Sequence, residues 1–156
     1  MGVWWGIELD LDALIAKGRA ALDNVEPVDQ EVLVAGEIVT IRLWPLAGGE
    51  WRNLTTVHPP RAKSVFDQNA GYNMDAVTRA YPKVYIVDGD TVTNVTVPVD
   101  PEEPEHLRWH DIYDILDGPD MKNLASAVWG LNEYEHQKRV AAAGKALAGG
   151  RKKKRS

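Results

Sequence analysis

The pattern of hydrophobic and polar positions predicts two β-hairpins along the first two thirds of the chain. Two β-branched runs flank Ala35-Gly36 within Glu31–Trp44, and glycine permits the positive φ that a tight turn requires. Val39, Ile41 and Leu43 alternate with polar residues in the second run, so one face of that strand is expected to be buried. Lys83–Val97 predicts a second hairpin, because Asp88-Gly89 is a strong signal for a two-residue turn.

Helical periodicity predicts short helices on either side of the first hairpin. An apolar stripe favours a helix over Leu11–Asp23, with Asp10 or Asp12 as its N-cap. Two further short helices are expected over Glu50–Val57 and Met74–Ala80, the second of them capped by Asn73. The segment Arg61–Gly71 between these two helices is expected to be a polar loop.

The last third of the chain has the pattern of amphipathic helices. Trp109, Ile112, Tyr113 and Leu116 share one helical face, and Asp117-Gly118-Pro119 then interrupts the pattern. A second helix continues to about Leu147 and is expected to end at Gly149-Gly150. Residues 148–156 are expected to form a flexible, disordered basic tail.

These elements predict one α+β domain over residues 1–147, because 156 residues fit a single domain. The two hairpins are expected to form one antiparallel sheet packed by helices, with a long C-terminal helix. Residues 1–29 form an N-terminal arm and a short helix. No run of the sequence is apolar enough to span a membrane, and no signal peptide is evident.

Charge is distributed unevenly and bears on the partner class. The sequence has 18 basic and 23 acidic residues, and without its five terminal basic residues it carries a net charge of −10. An acidic body argues against specific nucleic-acid binding. A small regulator that binds nucleic acid through the basic tail is kept as an alternative. The absence of cysteine excludes a thiol nucleophile, a disulfide and a cysteine metal site.

Motifs for catalysis or metal binding are weak. His106 and His110 have the spacing of two zinc ligands, but the glutamate of an HExxH motif is absent, which favours two surface histidines. Neither a serine-nucleophile elbow nor a phosphate-binding glycine loop occurs, and no carboxylate pair is singled out by spacing. The sequence therefore predicts a non-enzymatic protein with no catalytic, metal-binding or cofactor-binding residue.

A set of ordered short motifs carries a family resemblance. The strings are Trp51-Arg52-Asn53-Leu54, His58-Pro59-Pro60-Arg61, Gly71-Tyr72-Asn73-Met74-Asp75-Ala76-Val77, Tyr81-Pro82 and Ala127-Val128-Trp129-Gly130-Leu131-Asn132-Glu133, followed by an Ala/Lys-rich helix. From about Val39 onward, the chain resembles the short tail assembly chaperones of siphophages that infect actinobacteria. These are similar in role to the lambda-type pair, in which a short protein and its frameshifted extension act on the tape measure protein.

The resemblance implies a phage tail assembly chaperone that keeps the tape measure protein soluble in the host cytoplasm and is absent from the mature virion. Lys152–Lys154 lie where the slippery site of this family would be, so a frameshifted, extended form of the chain is an implied partner. Self-association as a homo-oligomer is compatible with this role. The alternative is a structural virion component, such as a head–tail connector or a tail-completion protein.

The resemblance also implies roles for individual residues. Trp51 and Leu54 would anchor a helix, His58-Pro59-Pro60-Arg61 would reverse the chain with Arg61 near a carboxylate, and Gly71 would supply a positive φ. Structural roles are also expected for the remaining motif residues, namely Tyr72, Asn73, Trp129 and Asn132. The candidate partner contacts are Trp4, Trp5, Trp44, Arg151, Lys152, Lys153, Lys154 and Arg155.

Overall fold

A computed structural model describes the backbone of residues 3–4, 7–8 and 10–155 and the side chains of residues 10–22 and 24–145. The strands are β1 (Val3–Trp4), β2 (Ile7–Glu8), β3 (Val28–Val34), β4 (Glu37–Leu43), β5 (Val84–Asp88) and β6 (Thr91–Asn94). The α-helices are α1 (Leu11–Asp23), α2 (Gly48–Thr56), α3 (Val65–Ala70), α4 (Met74–Arg79), α5 (Arg108–Asp114), α6 (Gly118–Trp129) and α7 (Glu135–Arg155). A π-helical turn over Gly130–Tyr134 joins α6 to α7. The predicted α+β class is confirmed.

Both predicted hairpins are present and belong to one antiparallel sheet with the order β3-β4-β5-β6. The first hairpin turns at Ala35-Gly36, where both residues have positive φ, 51° and 80°. The second turns at Gly89-Asp90, one residue later than predicted, with Gly89 at φ 58°. Pairing of Ile41 with Ile86 joins the hairpins through their inner strands. A separate two-stranded ribbon pairs β1 with β2.

The two faces of the four-stranded sheet have different surroundings. One face carries Ile41, Leu43 and Val84, and the helices bury it in the core. Trp109, Tyr113, Leu116, Leu124, Val128 and Leu131 supply the helical side of that core. We call the opposite side the outer face; its side chains are Asp29, Glu31, Leu33, Ile38, Thr40, Arg42, Tyr85, Val87, Val92 and Asn94, and none of them is buried.

Local capping explains most helix starts. Asp10, Asn73 and Asp117 each accept a hydrogen bond from the backbone amide three residues on. Helix α1 has the predicted bounds. The break between α5 and α6 lies at Ile115–Asp117, two residues earlier than the predicted Asp117–Pro119, so that Gly118 and Pro119 form the start of α6. At the edge of the sheet, the carboxylate of Asp120 in α6 accepts a 2.8 Å hydrogen bond from the amide of Leu33. This contact ties the edge strand to the helical layer.

The prediction of a polar loop over Arg61–Gly71 is wrong, because helix α3 forms within it. Ser64 caps this helix by accepting a hydrogen bond from the amide of Asp67. Gly71 ends it with φ 86°, a conformation that glycine adopts without steric cost. The polar residues of the segment therefore form the cap of a helix and an ion pair between the half-exposed Arg61 and the buried Asp67.

The prediction that the last helix ends at Gly149-Gly150 is also wrong, because α7 continues to Arg155. A glycine in a helix interior costs about 1 kcal/mol relative to alanine, which weakens a helix without terminating it. The single helix expected from Met121 onward is instead interrupted by the π-helical turn. There the side-chain amide of Asn132 donates a hydrogen bond to the backbone carbonyl of Val128.

Candidate functional site

The carboxylate of Asp67 is the centre of the best-built polar cluster in the described part of the chain. Its side chain is 0% exposed. It accepts hydrogen bonds from Nε of Arg61 at 2.7 Å, from the backbone amide of Arg61 at 3.0 Å and from that of Met74 at 3.2 Å. One carboxylate therefore fixes the chain reversal before α3 to the first turn of α4.

Arg61 connects this buried carboxylate to the surface. Its guanidinium also lies 3.0 Å from the carboxylate of Asp75, and roughly half of the Arg61 side chain is exposed. The guanidinium holds the pKa of Asp67 well below its usual range; burial opposes this effect, and the amides of Arg61 and Met74 support it. Asp67 is therefore ionised throughout the neutral range, and the expected pairing of Arg61 with a carboxylate is confirmed.

The turn between α3 and α4 places the motif residues around this cluster. The amide of Gly71 donates to the carbonyl of Asp67, and the amide of Asn73 donates to the carbonyl of His58 at 2.9 Å. The predicted positive φ of Gly71 and the capping role of Asn73 are both confirmed. These bonds hold α3 at a fixed position beside α4.

An apolar groove lies between α3, α4 and α6, and we call it the Phe66 groove. It consists of two adjoining hollows, one of about 360 Å³ and the other of about 170 Å³, which share Phe66 and Met74. Met121 lines the larger hollow, and Trp129 lines the smaller one. Phe66 is the only phenylalanine of the chain and is 66% exposed, so a large ring stands open at the centre of the groove.

Charged side chains surround the larger hollow. Lys122 lies with Nζ 5.2 Å from the centroid of the Phe66 ring, a cation–π distance. Arg61 and Asp75 line the same hollow. The groove thus combines an apolar floor with a charged rim, which is the arrangement of a surface that binds another protein segment.

A second polar network fixes the π-helical turn that directly follows Trp129, the last residue of α6. The indole of Trp51 donates a 2.8 Å hydrogen bond to Glu133, and the side-chain amide of Asn132 donates to the hydroxyl of Tyr81. The Tyr81 hydroxyl in turn donates to the carbonyl of Trp44. Trp51 also meets Tyr72 edge to face, with ring centroids 5.2 Å apart. This network holds the π-helical turn against the start of α2.

The structure places most motif residues in the core or in these two networks. Trp51 and Tyr72 are buried, whereas Leu54, His58, Pro60 and Asn132 are half-buried and Pro59 is exposed. Trp129 is half-buried and stacks on Tyr134 at a centroid distance of 5.8 Å, so it belongs to the groove as well as to the helix packing.

Among the residues that the structure describes, the predicted partner contacts do not form one surface. Trp44 is half-buried, and its carbonyl is used inside the second network. The side chains of Trp4, Trp5, Arg151, Lys152, Lys153, Lys154 and Arg155 lie outside the described residues.

Sequence reasoning missed the three side chains that define the groove, namely Phe66, Met74 and Met121. Because Arg61–Gly71 was expected to be a polar loop, Phe66 was not considered as a residue of a helix face. A signal was present, because Ser64-Val65-Phe66-Asp67 has the spacing of a capping box ahead of a helix.

The two histidines considered as metal ligands have different surroundings, because His106 precedes α5 and is exposed, whereas His110 lies within α5 and is half-buried. His106 bonds Asp111 at 2.9 Å, and this carboxylate raises the pKa of His106; burial lowers that of His110. Among the described side chains, no three His, Asp or Glu residues are placed to hold a metal ion. Within the described residues, no helix combines the length and the apolar character needed to cross a membrane.

No protein-family model matches this chain, and neither a curated protein nor a solved structure is significantly similar to it. Assignment of a function therefore rests on the motif resemblance described above and on the chemistry and the geometry of the Phe66 groove.

Proposed function

We propose that the protein is a non-enzymatic tail assembly chaperone of a siphophage. It binds an amphipathic helical segment of the tape measure protein in the Phe66 groove and keeps that client soluble in the host cytoplasm until the tail tube assembles. The observation that carries the proposal is the open ring of Phe66 between two adjoining apolar hollows on the surface of the domain.

The shape of the groove suits a helix. An amphipathic helix presents anchors at positions i, i+3 or i+4 and i+7, and two adjoining hollows offer places for successive anchors. Met74 and Met121 have flexible, polarisable side chains that adapt to different apolar partners. A chaperone of a long apolar protein needs this tolerance, because it meets many similar segments and not one fixed sequence.

The charge of the body suits the same role. The net charge of −10 outside the terminal basic run keeps a complex with an apolar client dispersed, because like-charged complexes repel one another. Lys122 beside Phe66 offers a contact to a carboxylate at the edge of a client helix. The affinity for the client helix would come from the apolar floor of the groove, and the charged rim would set the orientation of that helix.

The C-terminal helix α7 would connect this chain to the extension in the proposed frameshifted form. Helix α7 carries the lysine run at 152–154 and is helical to Arg155. A product of ribosomal slippage at that run would extend from the end of this helix, and the Phe66 groove would be common to both products. Two tethered contacts to one client would raise avidity through effective concentration.

The proposal is tested by co-expressing the tape measure protein with the chain or with a Phe66→Asp variant. We expect the intact chain to keep the client soluble. The variant should lose most of this effect, because a carboxylate placed in the apolar floor opposes burial of the client helix. Val57→Asp is the matched control, since Val57 is 68% exposed and does not line the groove.

The fate of the chain provides a second readout. We expect quantitative mass spectrometry of purified virions to find no stoichiometric amount of it. A fixed copy number in the particle would favour the head–tail connector or tail-completion role. Equal client solubility with Phe66→Asp and with Val57→Asp would contradict binding in the groove.

A further inference from the structure

A row of aromatic side chains continues the Phe66 groove along the last two helices. Phe66 and Trp129 both line the smaller hollow, and Trp129 stacks on Tyr134 with an angle of 27° between the ring planes. Phe66 and Tyr134 are exposed, and Trp129 is half-buried. We call these three rings the aromatic row. The apolar surface open to a partner is therefore longer than the two hollows alone.

The π-helical turn brings the last two rings of this row together. Tyr134 follows Trp129 by five positions, and residues five positions apart in an uninterrupted α-helix differ by about 140° in direction around the helix axis. The turn over Gly130–Tyr134 widens the helix locally, because its hydrogen bonds join residues five apart, and the two rings stack on one side. The π-helical turn therefore keeps the apolar surface continuous from α6 into α7.

A lysine lies at each end of the aromatic row. Nζ of Lys122 is 5.2 Å from the centroid of the Phe66 ring, and Nζ of Lys138 is 5.9 Å from that of the Tyr134 ring. Both lysines are exposed, and neither forms an ion pair with a described side chain. Lys138 follows Lys122 by 16 positions, so the two residues are about 24 Å apart along the helices.

The acidic side chains near the row are engaged in other contacts. Asp67 and Asp75 share the guanidinium of Arg61 at the larger hollow. Glu133 accepts a hydrogen bond from a buried indole, and Glu135 lines a separate hollow beside the end of α1. Among the described side chains, the charges that the row leaves without a partner are therefore positive. This favours a partner that has carboxylates at the matching positions.

We propose that the client segment is an amphipathic helix with a carboxylate at each end of its apolar stripe, one for Lys122 and the other for Lys138. The stripe packs along the aromatic row, and the two lysines fix its register. Because the rest of the body is acidic, a client carboxylate at any other position is repelled. This inference rests on the proposed function, since it specifies which segments of the client the Phe66 groove accepts.

Two designed helical peptides with the same leucine stripe test the charge of the partner. One has glutamates and the other has lysines at two positions about 14 residues apart, which lie on one face and about 21 Å from each other. We expect the full chain to bind the glutamate peptide about 10-fold more tightly at low salt, and the difference to decrease as salt screens the contacts. Equal binding of the two peptides, tighter binding of the lysine peptide, or binding of neither would overturn the proposal.

Charge reversal at the two lysines tests whether these side chains cause the preference. Lys122→Glu combined with Lys138→Glu should reverse the preference between the two peptides. The matched control combines Lys17→Glu with Arg19→Glu, which changes the net charge equally in the exposed helix α1 and should keep the native preference. An unchanged preference in the first variant, or the same reversal in the control, would overturn the proposal.

Aromatic rings beside lysines also suit single-stranded nucleic acid, but the net charge of −10 outside the terminal basic run disfavours a polyanion. A single-stranded oligonucleotide should therefore bind more weakly than the glutamate peptide. Tighter binding of the oligonucleotide, lost in the Lys122→Glu/Lys138→Glu variant, would assign the aromatic row to nucleic acid and overturn the proposal.

Failure of this inference and failure of the proposed function give different results. If Phe66→Asp lowers client solubility but the two peptides bind the native chain equally, the charge inference is wrong and the groove remains the client site. If the glutamate peptide is preferred but Phe66→Asp leaves client solubility unchanged, the proposed function is wrong and the charge selectivity of the row is supported.

Discussion

Helices α1 and α6 have nearly the same length and the same kind of apolar stripe, yet their surroundings are opposite. Leu14 in α1 is 54% exposed, whereas Leu124 in α6 is 0% exposed. Helix α6 is fixed by its Asp117 cap, by the hydrogen bond that Asp120 accepts from the edge strand and by its contacts with the core. Helix α1 has a cap of equal quality, but the body of its own chain does not cover its stripe. An apolar stripe thus specifies which side of a helix favours burial. Whether the helix contributes to stability depends on whether another part of the structure packs against that side.

The largest expected effect tests this contrast directly. Leu124→Ala should reduce the free energy of unfolding by about 3 kcal/mol, since it leaves a cavity in a close-packed core. Leu14→Ala should change it by no more than about 0.5 kcal/mol, because half of that side chain is already in water. Urea denaturation at a dilution where self-association is absent measures both. A large loss in Leu14→Ala under these conditions would show that α1 packs on its own body.

The next effect concerns the cluster beside the groove. Asp67→Asn should lower the free energy of unfolding by about 2 kcal/mol, because it removes the buried charged partner of Arg61. The loss stays below that of a fully buried ion pair because about half of the Arg61 side chain is exposed to solvent. The control is Asp10→Asn, which preserves an N-cap at the exposed start of α1 and should leave global stability unchanged.

The same ion pair predicts an acid dependence. The folded-state pKa of Asp67 is below its unfolded value, so its contribution is complete above about pH 4 and is lost as pH falls further. Urea midpoints between pH 7 and pH 3 should therefore decline less steeply for Asp67→Asn than for the native chain. Parallel slopes would contradict the assignment of this acid sensitivity to Asp67.

The smallest effect compares two buried tyrosines. Tyr81→Phe should lose about 1 kcal/mol, because the Tyr81 hydroxyl both donates to Trp44 and accepts from Asn132. The hydroxyl of Tyr72 is buried without a hydrogen-bond partner among the described residues, so Tyr72→Phe should be neutral or slightly stabilising. Burial raises the pKa of both hydroxyls, and stability should decline as pH rises above about 10. Equal losses in the two variants at pH 7 would indicate that the Tyr72 hydroxyl is hydrogen-bonded.

The candidate site was only partly predictable. Gly71, Asn73 and Arg61 were assigned local roles that the structure confirms, because caps, positive φ and a nearby carboxylate depend on a few neighbouring residues. The groove itself brings Phe66 and Met74 together with Met121, almost fifty residues later in the chain. Such a juxtaposition depends on how α3 and α4 pack against α6, which no local pattern encodes.

The sequence by itself determined the elements whose signals are short-range: both hairpins and the turn of the first, helix α1 with its bounds, and, to within two residues, the break between α5 and α6. Tertiary structure alone decided that the helices cover only one face of the sheet, that the carboxylate paired with Arg61 is the buried Asp67, and that the stripe of α6 is enclosed while that of α1 stays open. The physical reason is that turn chemistry and periodicity act over a few residues. Burial depends instead on which surfaces from distant parts of the chain pack together. Because hydrophobic attraction is non-directional, an apolar pattern shows that a surface favours burial but not which other surface covers it.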